Sequence, residues 1–185
     1  MNKAGRITWA SIAALALLAA GAGAGYAISA NTNPTPSEWI TEVADGEAHI
    51  VTSADLHRLA PLLGTVYWAG ERDDMKFELT VMPAAITIRY LPVATDAGSG
   101  DEALTVATYR DTAGYDSLQN LDEGVAVSEA TSGAIIAVPD ANPLSTYFAF
   151  PGAAFQVEVF SPEAGESYEL VSDGEIAPIS EAGAP

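Results

Sequence analysis

Residues 64–92 read GTVYWAGERDDMKFELTVMPAAITIRYLP, and this stretch decides the fold because the order of its side chains predicts both strands and their register. Apolar side chains occupy every second position of residues 75–81, which is the pattern of a strand with one face towards water. The same alternation returns in residues 86–90, after Pro83 and Ala84. These two strands, joined by a turn centred on Pro83 and Ala84, predict a β-hairpin.

The hairpin has one predicted register, because a turn of two or of four residues at its tip gives the same cross-strand pairs. The pairs are Val81 with Ile86, Leu79 with Ile88, and Glu78 with Arg89. We expect the face that carries Glu78 and Arg89 to lie in water, so their ion pair is predicted to contribute about a few tenths of a kcal/mol. Residues 66–68 precede the hairpin and are predicted to be the first strand of a three-stranded meander.

The rest of the chain predicts an α+β domain built on a mostly antiparallel sheet. A helix is expected at residues 53–63 with Ser53 as its N-cap, and a short helix or turn followed by an extended piece at residues 39–51. Further strands are predicted at 104–109, 125–128, 133–138, 145–150 and 154–160, and further helices at 112–121 and 162–171. We expect two or three short helices to pack on one face of this sheet, and residues 173–185 to fray.

The two halves of the domain have a similar order of residues. LTVATYRDTAGYDSL at 104–118 resembles VEVFSPEAGESYELV at 157–171, and TVYWAG before FELT resembles TYFAFPG before FQVEVF. The identities are few, and the ordinary composition of β-hairpins explains them about as well as a duplication does. A pseudo-duplication of one α+β unit therefore stays open.

The N-terminus predicts export across a membrane. Residues 7–28 carry no charge and follow Lys3 and Arg6, so they fit a transmembrane anchor with a basic cytoplasmic flank at residues 1–6. They also fit a signal peptide cleaved near Ala24. In either case we expect a linker at 29–38, an extracytoplasmic domain at 39–179 and a frayed tail at 180–185, either held at the cell membrane or secreted.

Charge and cysteine content exclude several classes of function. Beyond residue 6 the chain has 25 acidic and 5 basic residues, a formal charge of −20, which disfavours binding to nucleic acid. The absence of cysteine excludes disulfides, thiolate catalysis and cysteine-held metals. We expect no cofactor and no metal. Oxygen atoms of Asp96, Ser99, Asp101 and Glu102 in the loop at 93–102 are groups that Ca²⁺ can bind, but the loop lacks the spacing of an EF-hand and is predicted to be a plain surface loop.

No catalytic motif is present, since the chain has no GxSxG, HExxH, P-loop or GxGxxG pattern and only two histidines. The first hypothesis is a non-catalytic domain that binds or scaffolds an envelope protein or glycan through an exposed aromatic edge. The candidate residues of that edge are Tyr67, Trp68 and Tyr147. The alternative is a secreted hydrolase or carbohydrate-active enzyme that uses acids such as Asp73, Asp74 or Glu158.

A set of spaced motifs resembles a group of single-pass or secreted actinobacterial envelope proteins of unknown function. The motifs are VYWAG at 66–70, FELT at 77–80, IRYLP at 88–92, TVATY at 105–109, YFAFPG at 147–152 and QVEVFSP at 156–162. The resemblance covers about residues 56–176. It implies the location and the fold, and it carries over no catalytic residue.

Overall fold

The computed structural model describes residues 26–27, 36–110, 112–121, 124–130 and 132–179. The helices are α1 (Pro36–Val43), α2 (Ser53–Leu63), α3 (Gly114–Gln119) and α4 (Glu166–Ser172). The strands are β1 (Tyr26–Ala27), β2 (Ala48–Val51), β3 (Tyr67–Trp68), β4 (Met75–Val81), β5 (Ala85–Pro92), β6 (Thr105–Arg110), β7 (Val125–Glu129), β8 (Ile135–Pro139), β9 (Ser145–Ala149), β10 (Phe155–Phe160) and β11 (Ala177–Pro178).

Eight strands form one antiparallel sheet in the order β2-β4-β5-β6-β10-β9-β8-β7, and the two-residue β1 lies parallel to β2 at its edge. The predicted α+β domain with a mostly antiparallel sheet is therefore confirmed. The β4–β5 hairpin has the predicted register, with Leu79 opposite Ile88 and Glu78 opposite Arg89. Met82 and Ala85 close its tip with two backbone hydrogen bonds, so the turn consists of the two residues Pro83 and Ala84.

The predicted three-stranded meander is wrong, because β3 does not pair with β4. The neighbours of β4 are β5 and β2, and β2 follows the short helix α1. β3 pairs instead with β11, which lies in the stretch expected to fray. Ile176 and Ile179 flank β11 and are buried in the core, so apolar burial orders the chain as far as residue 179.

The sheet has a core face and a second face. The core face carries the alternating apolar side chains of the central strands, including Leu79, Ile88 and Val106. α1, α2 and α4 contribute to this core, as expected for helices on one face. α3 packs on the second face, where Leu118 meets Ile135 and other side chains of a smaller cluster. The prediction of helices on one face thus omitted α3.

The N-cap of α2 is Thr52 and not Ser53. The Thr52 hydroxyl accepts from Asp55 N–H at 3.2 Å, and the Asp55 carboxylate accepts from Thr52 N–H at 2.9 Å. This reciprocal pair satisfies two backbone donors that a helix N-terminus leaves without partners. Thr52 and Asp55 therefore form a capping box at the start of α2.

Most of the predicted membrane segment, residues 7–25 and 28, lies outside the described residues, as do residues 1–6 and 180–185. Tyr26 and Ala27, at its end, form strand β1. α1 begins at Pro36, inside the segment expected to be a linker. Among the helices of the described residues, none has the length and apolar character needed to cross a membrane.

The order of strands divides the sheet into two halves of four, β2-β4-β5-β6 and β10-β9-β8-β7. The halves meet at the antiparallel pair β6–β10. The strand that contains Tyr67 lies outside this sheet, whereas its counterpart β9 lies within it, and α3 and α4 pack on opposite faces. The pseudo-duplication stays a prediction.

Candidate functional site

The second face carries a cavity of about 370 Å³ at the centre of the sheet. Its floor is lined by small side chains of β5 and β6, among them Ala85, Thr87 and Ala107, and Thr87 lies directly opposite Ala107. Residues 99–103 of the loop that joins β5 to β6 also line the cavity. Small residues at the middle of a strand leave space above the sheet, and the loop covers part of that space.

Glu158 lies at one end of the cavity and accepts three hydroxyl hydrogen bonds. Tyr109 Oη donates to Glu158 Oε2 at 2.6 Å, and Tyr147 Oη and Ser145 Oγ each donate to Oε1 at 2.8 Å. Asn142 Nδ2 in turn donates to Ser145 Oγ at 3.0 Å. Neutral donors therefore hold this buried carboxylate in one position.

The strand register explains how these groups meet. Glu158 on β10 lies opposite Tyr147 on β9 and opposite Ala107 on β6. Tyr109 and Ser145 lie two residues away along their strands, and side chains two residues apart share a face. The four groups therefore converge on the second face of three neighbouring strands.

Burial raises the pKa of both Tyr109 and Tyr147 well above the usual value of a phenol, and the nearby charge of Glu158 raises it further. Both phenols consequently remain protonated and act as donors at neutral pH. Burial also raises the pKa of Tyr90, whose hydroxyl accepts from Ala69 N–H at 2.6 Å on the core face.

The predicted Glu78–Arg89 ion pair is confirmed, but the expectation that it lies in water is wrong. Arg89 Nη1 donates to Glu78 Oε1 at 2.5 Å, and the two residues are 8% and 2% exposed. The loop between β5 and β6 covers the pair and binds to both of its members. Arg89 Nη2 donates to the carbonyls of Ser99 and Asp101 at 3.1 and 2.7 Å, and Gly98 N–H donates to Glu78 Oε2 at 2.5 Å.

This ion pair therefore anchors the loop that covers part of the cavity. The Arg89 guanidinium donates hydrogen bonds to the carbonyl oxygens of Ser99 and Asp101 in the acidic loop. Carbonyl oxygens are among the groups that bind a calcium ion. No group of three or more metal-ligating acids or histidines occurs in the described part of the chain.

One buried hydroxyl group at the cavity lacks a hydrogen-bond partner among the described residues. Ser99 Oγ is buried and has no partner. The Thr87 side chain also lines the cavity. Buried polar groups in folded proteins are nearly always paired, so a partner for Ser99 Oγ is expected to come from a bound molecule or water.

The predicted aromatic edge is not exposed as expected. Tyr67 is buried and packs its ring at 5.4 Å from Phe148 and from Phe155 in the core. Trp68 is half-buried beside Phe77. Tyr147 is buried on the second face, with its hydroxyl on Glu158. Binding of a partner through these residues stays a prediction, although Tyr67 and Tyr147 are only 7% and 3% exposed.

The acids of the hydrolase hypothesis do not converge. Asp73 and Asp74 are exposed in the turn before β4 and do not line the cavity, whereas Glu158 does. The other buried carboxylate of this face, Glu78, lies three strands away and is paired with Arg89. Asp101 and Glu102, on the loop between β5 and β6, are the further acids that line the cavity among the described residues.

Sequence reasoning identified Glu158 only as one acid among many and did not find the cavity. The sequence carries a signal for the cavity, because Ala85 and Ala107 are small residues within two strands whose neighbouring residues are mostly large. That signal acquires meaning only when β5 and β6 are known to be neighbours.

The chain matches no protein-family model, no curated protein and no solved structure. The resemblance to actinobacterial envelope proteins stays a prediction. The function is therefore argued from the geometry of the cavity.

Proposed function

We propose that this chain is a non-catalytic, extracytoplasmic binding domain of the bacterial cell envelope, anchored by the uncharged segment that begins at residue 7 and ends before β1, that holds a small molecule in the cavity of its second face. The uncharged segment after Lys3 and Arg6 and the strongly acidic remainder support export. The cavity, which opens to solvent on one side and has polar groups at fixed positions, supports binding of a small molecule.

The observation that carries the proposal is the hydrogen-bond network on Glu158. Both oxygens of its carboxylate already accept hydroxyl protons, at 2.6 and 2.8 Å. Neither histidine lines the cavity within the described residues. A carboxylate held in this way is a fixed acceptor that orients a ligand, whereas general acid–base catalysis needs a group that exchanges its proton with substrate. The site therefore favours binding over hydrolysis.

The test is to identify compounds that co-purify with the full chain. The chain is isolated from its host in mild detergent and denatured, and the released small molecules are identified by mass spectrometry. Ala107→Leu fills the cavity floor and is expected to lose the compound. Ala126→Leu, on the exposed strand β7, is the matched control and should retain it.

A compound enriched with the wild type and with Ala126→Leu but lost with Ala107→Leu supports the proposal. Equal yields from both variants, or no enriched compound together with equal capture of an envelope protein, would overturn it in favour of a scaffold. Recovery of cleaved compound, with intact compound accumulating only when Glu158→Gln is used, would establish the hydrolase alternative.

A further inference from the structure

The charge of the cavity is unbalanced. Glu158 is buried, and its hydrogen-bond donors are neutral hydroxyls. Arg89 is the one basic residue among the described residues that line the cavity, and it is paired with Glu78. Buried charges in proteins are ordinarily paired with a charge of opposite sign. The cavity beside Glu158 has room for a positively charged group, which would balance the charge of the carboxylate.

From this imbalance we propose that the ligand of the cavity is a small organic cation, such as a protonated amine, whose nitrogen lies next to Glu158. The proposal rests on the proposed function, because it names the chemistry of the molecule that the cavity holds.

The mouth of the cavity favours cations as well. Asp101 and Glu102 lie exposed on the covering loop and line the opening. The chain beyond residue 6 carries a formal charge of −20. Such a potential raises the local concentration of cations and repels phosphates and carboxylates.

The walls select an organic cation over a metal ion. Two aromatic residues, Phe160 and Tyr109, line the cavity together with Met82 and Ala85. Aromatic rings attract alkylated cations, and apolar walls bind the carbon skeleton of an amine. The oxygen cage that a hard metal ion requires is not formed, since no cluster of three acids or histidines occurs in the described part of the chain.

Hydroxyl groups of the cavity lining fit the same ligand. Thr87 lies opposite Ala107, and Ala107 lies opposite Glu158, so the Thr87 side chain and the carboxylate border the same space. An ammonium group has up to three donors. One donor on Glu158 leaves others for oxygen atoms of the lining, which include the Thr87 hydroxyl and the unpaired Ser99 Oγ.

The experiment compares three probes of one shape and different charge: cyclohexylammonium, cyclohexanol and cyclohexanecarboxylate. Each is titrated into the full chain in detergent micelles at pH 7 by calorimetry, with amide chemical shifts recorded by NMR. We expect cyclohexylammonium to shift the amides of Thr87, Ala107 and Glu158 and to bind at least about tenfold more tightly than cyclohexanol. Cyclohexanecarboxylate is expected not to bind.

Two variants test whether the preference for the cation comes from Glu158. Glu158→Gln removes the charge with little change of shape and should reduce the preference for the cation to about threefold or less. Glu129→Gln removes an equal charge from the exposed edge strand β7 and should leave the preference unchanged. Should Glu158→Gln fail to fold, the three-probe comparison on the wild-type chain still decides the inference.

The outcomes separate this inference from the proposed function. Cyclohexanol binding as tightly as cyclohexylammonium, with shifts at the same amides, would overturn the cation while leaving a small-molecule cavity in place. Tighter binding of the cation that Glu129→Gln reduces as much as Glu158→Gln would also overturn it, since the attraction would then come from the general surface charge. Absence of shifts at the cavity amides with all three probes would count against both.

Discussion

Replacing Arg89 with methionine tests whether the Glu78–Arg89 pair is a buried structural element. Methionine keeps most of the apolar stem of arginine and removes its charge. The substitution leaves Glu78, which is 2% exposed, with the Gly98 N–H as its remaining hydrogen-bond donor. Breaking a buried pair in this way costs about 3–5 kcal/mol, whereas an exposed pair is worth about 0.2–1 kcal/mol. The expected loss is a large share of a typical stability of about 5–15 kcal/mol.

A double-mutant cycle separates the pair from its surroundings. Glu78→Met alone leaves the guanidinium with two carbonyl acceptors, so it is also expected to destabilise the domain. Removing both charges together leaves no buried unpaired ion. The double variant should therefore cost less than the sum of the two single variants, by at least about 2 kcal/mol.

The assay is urea unfolding of the purified full chain at pH 7, followed by far-ultraviolet circular dichroism. Arg72→Met is the matched control, because Arg72 makes more exposed ion pairs with Glu166 and Glu175 at 3.6 and 3.9 Å. Arg72 also lies 5.9 Å from the centroid of the Tyr90 ring, so its loss should cost about 2 kcal/mol or less. A cost of Arg89→Met as small as that of the control, or single costs that simply add, would refute the reasoning.

Loop anchoring gives a second measurement on the same variants. Arg89 holds the carbonyls of Ser99 and Asp101, so its loss should release the loop beside Glu102. A glutamate-specific protease is expected to cleave the chain at Glu102 faster in Arg89→Met than in Arg72→Met. Equal cleavage rates would show that other contacts hold the loop.

Three further predictions concern packing, pH and location. Gly114→Ala places a Cβ 2.8 Å from Gln156 Cβ and should cost about 1–3 kcal/mol in urea unfolding, whereas Gly100→Ala, with open space around it, should cost much less. Burial raises the pKa of Tyr109 and Tyr147, so both keep their protons in the folded chain above about pH 10, where unfolded tyrosine ionises. Above that pH the free energy of unfolding should fall by about 1.4 kcal/mol per pH unit for each of the two tyrosines. Tyr109→Phe should reduce the total slope by about 1.4 kcal/mol per pH unit. Ser172→Cys, the single thiol in a cysteine-free chain, should react with a membrane-impermeant maleimide on intact cells, and labelling only after lysis would contradict export.

Strand alternation was sufficient to predict the hairpin and its pairs. A period of two assigns each side chain to a face, and the pattern of Phe77, Leu79, Ile86 and Ile88 permits one register that buries them together. The same period could not predict that Glu78 is buried, because alternation separates two faces and does not say what covers either. Local patterns likewise could not place β3, whose partner β11 lies more than a hundred residues further along the chain.

The sequence by itself determined the antiparallel domain, the Glu78–Arg89 pair and the acidic, cysteine-free character of the chain, because these follow from local alternation and composition. Only the tertiary structure decided that the pair lies beneath a loop and that Glu158 meets Tyr109 and Tyr147 beside a cavity. These features join strands and loops far apart in sequence, so they depend on the order of strands in the sheet. That order is set by burial of the whole chain and not by any one segment.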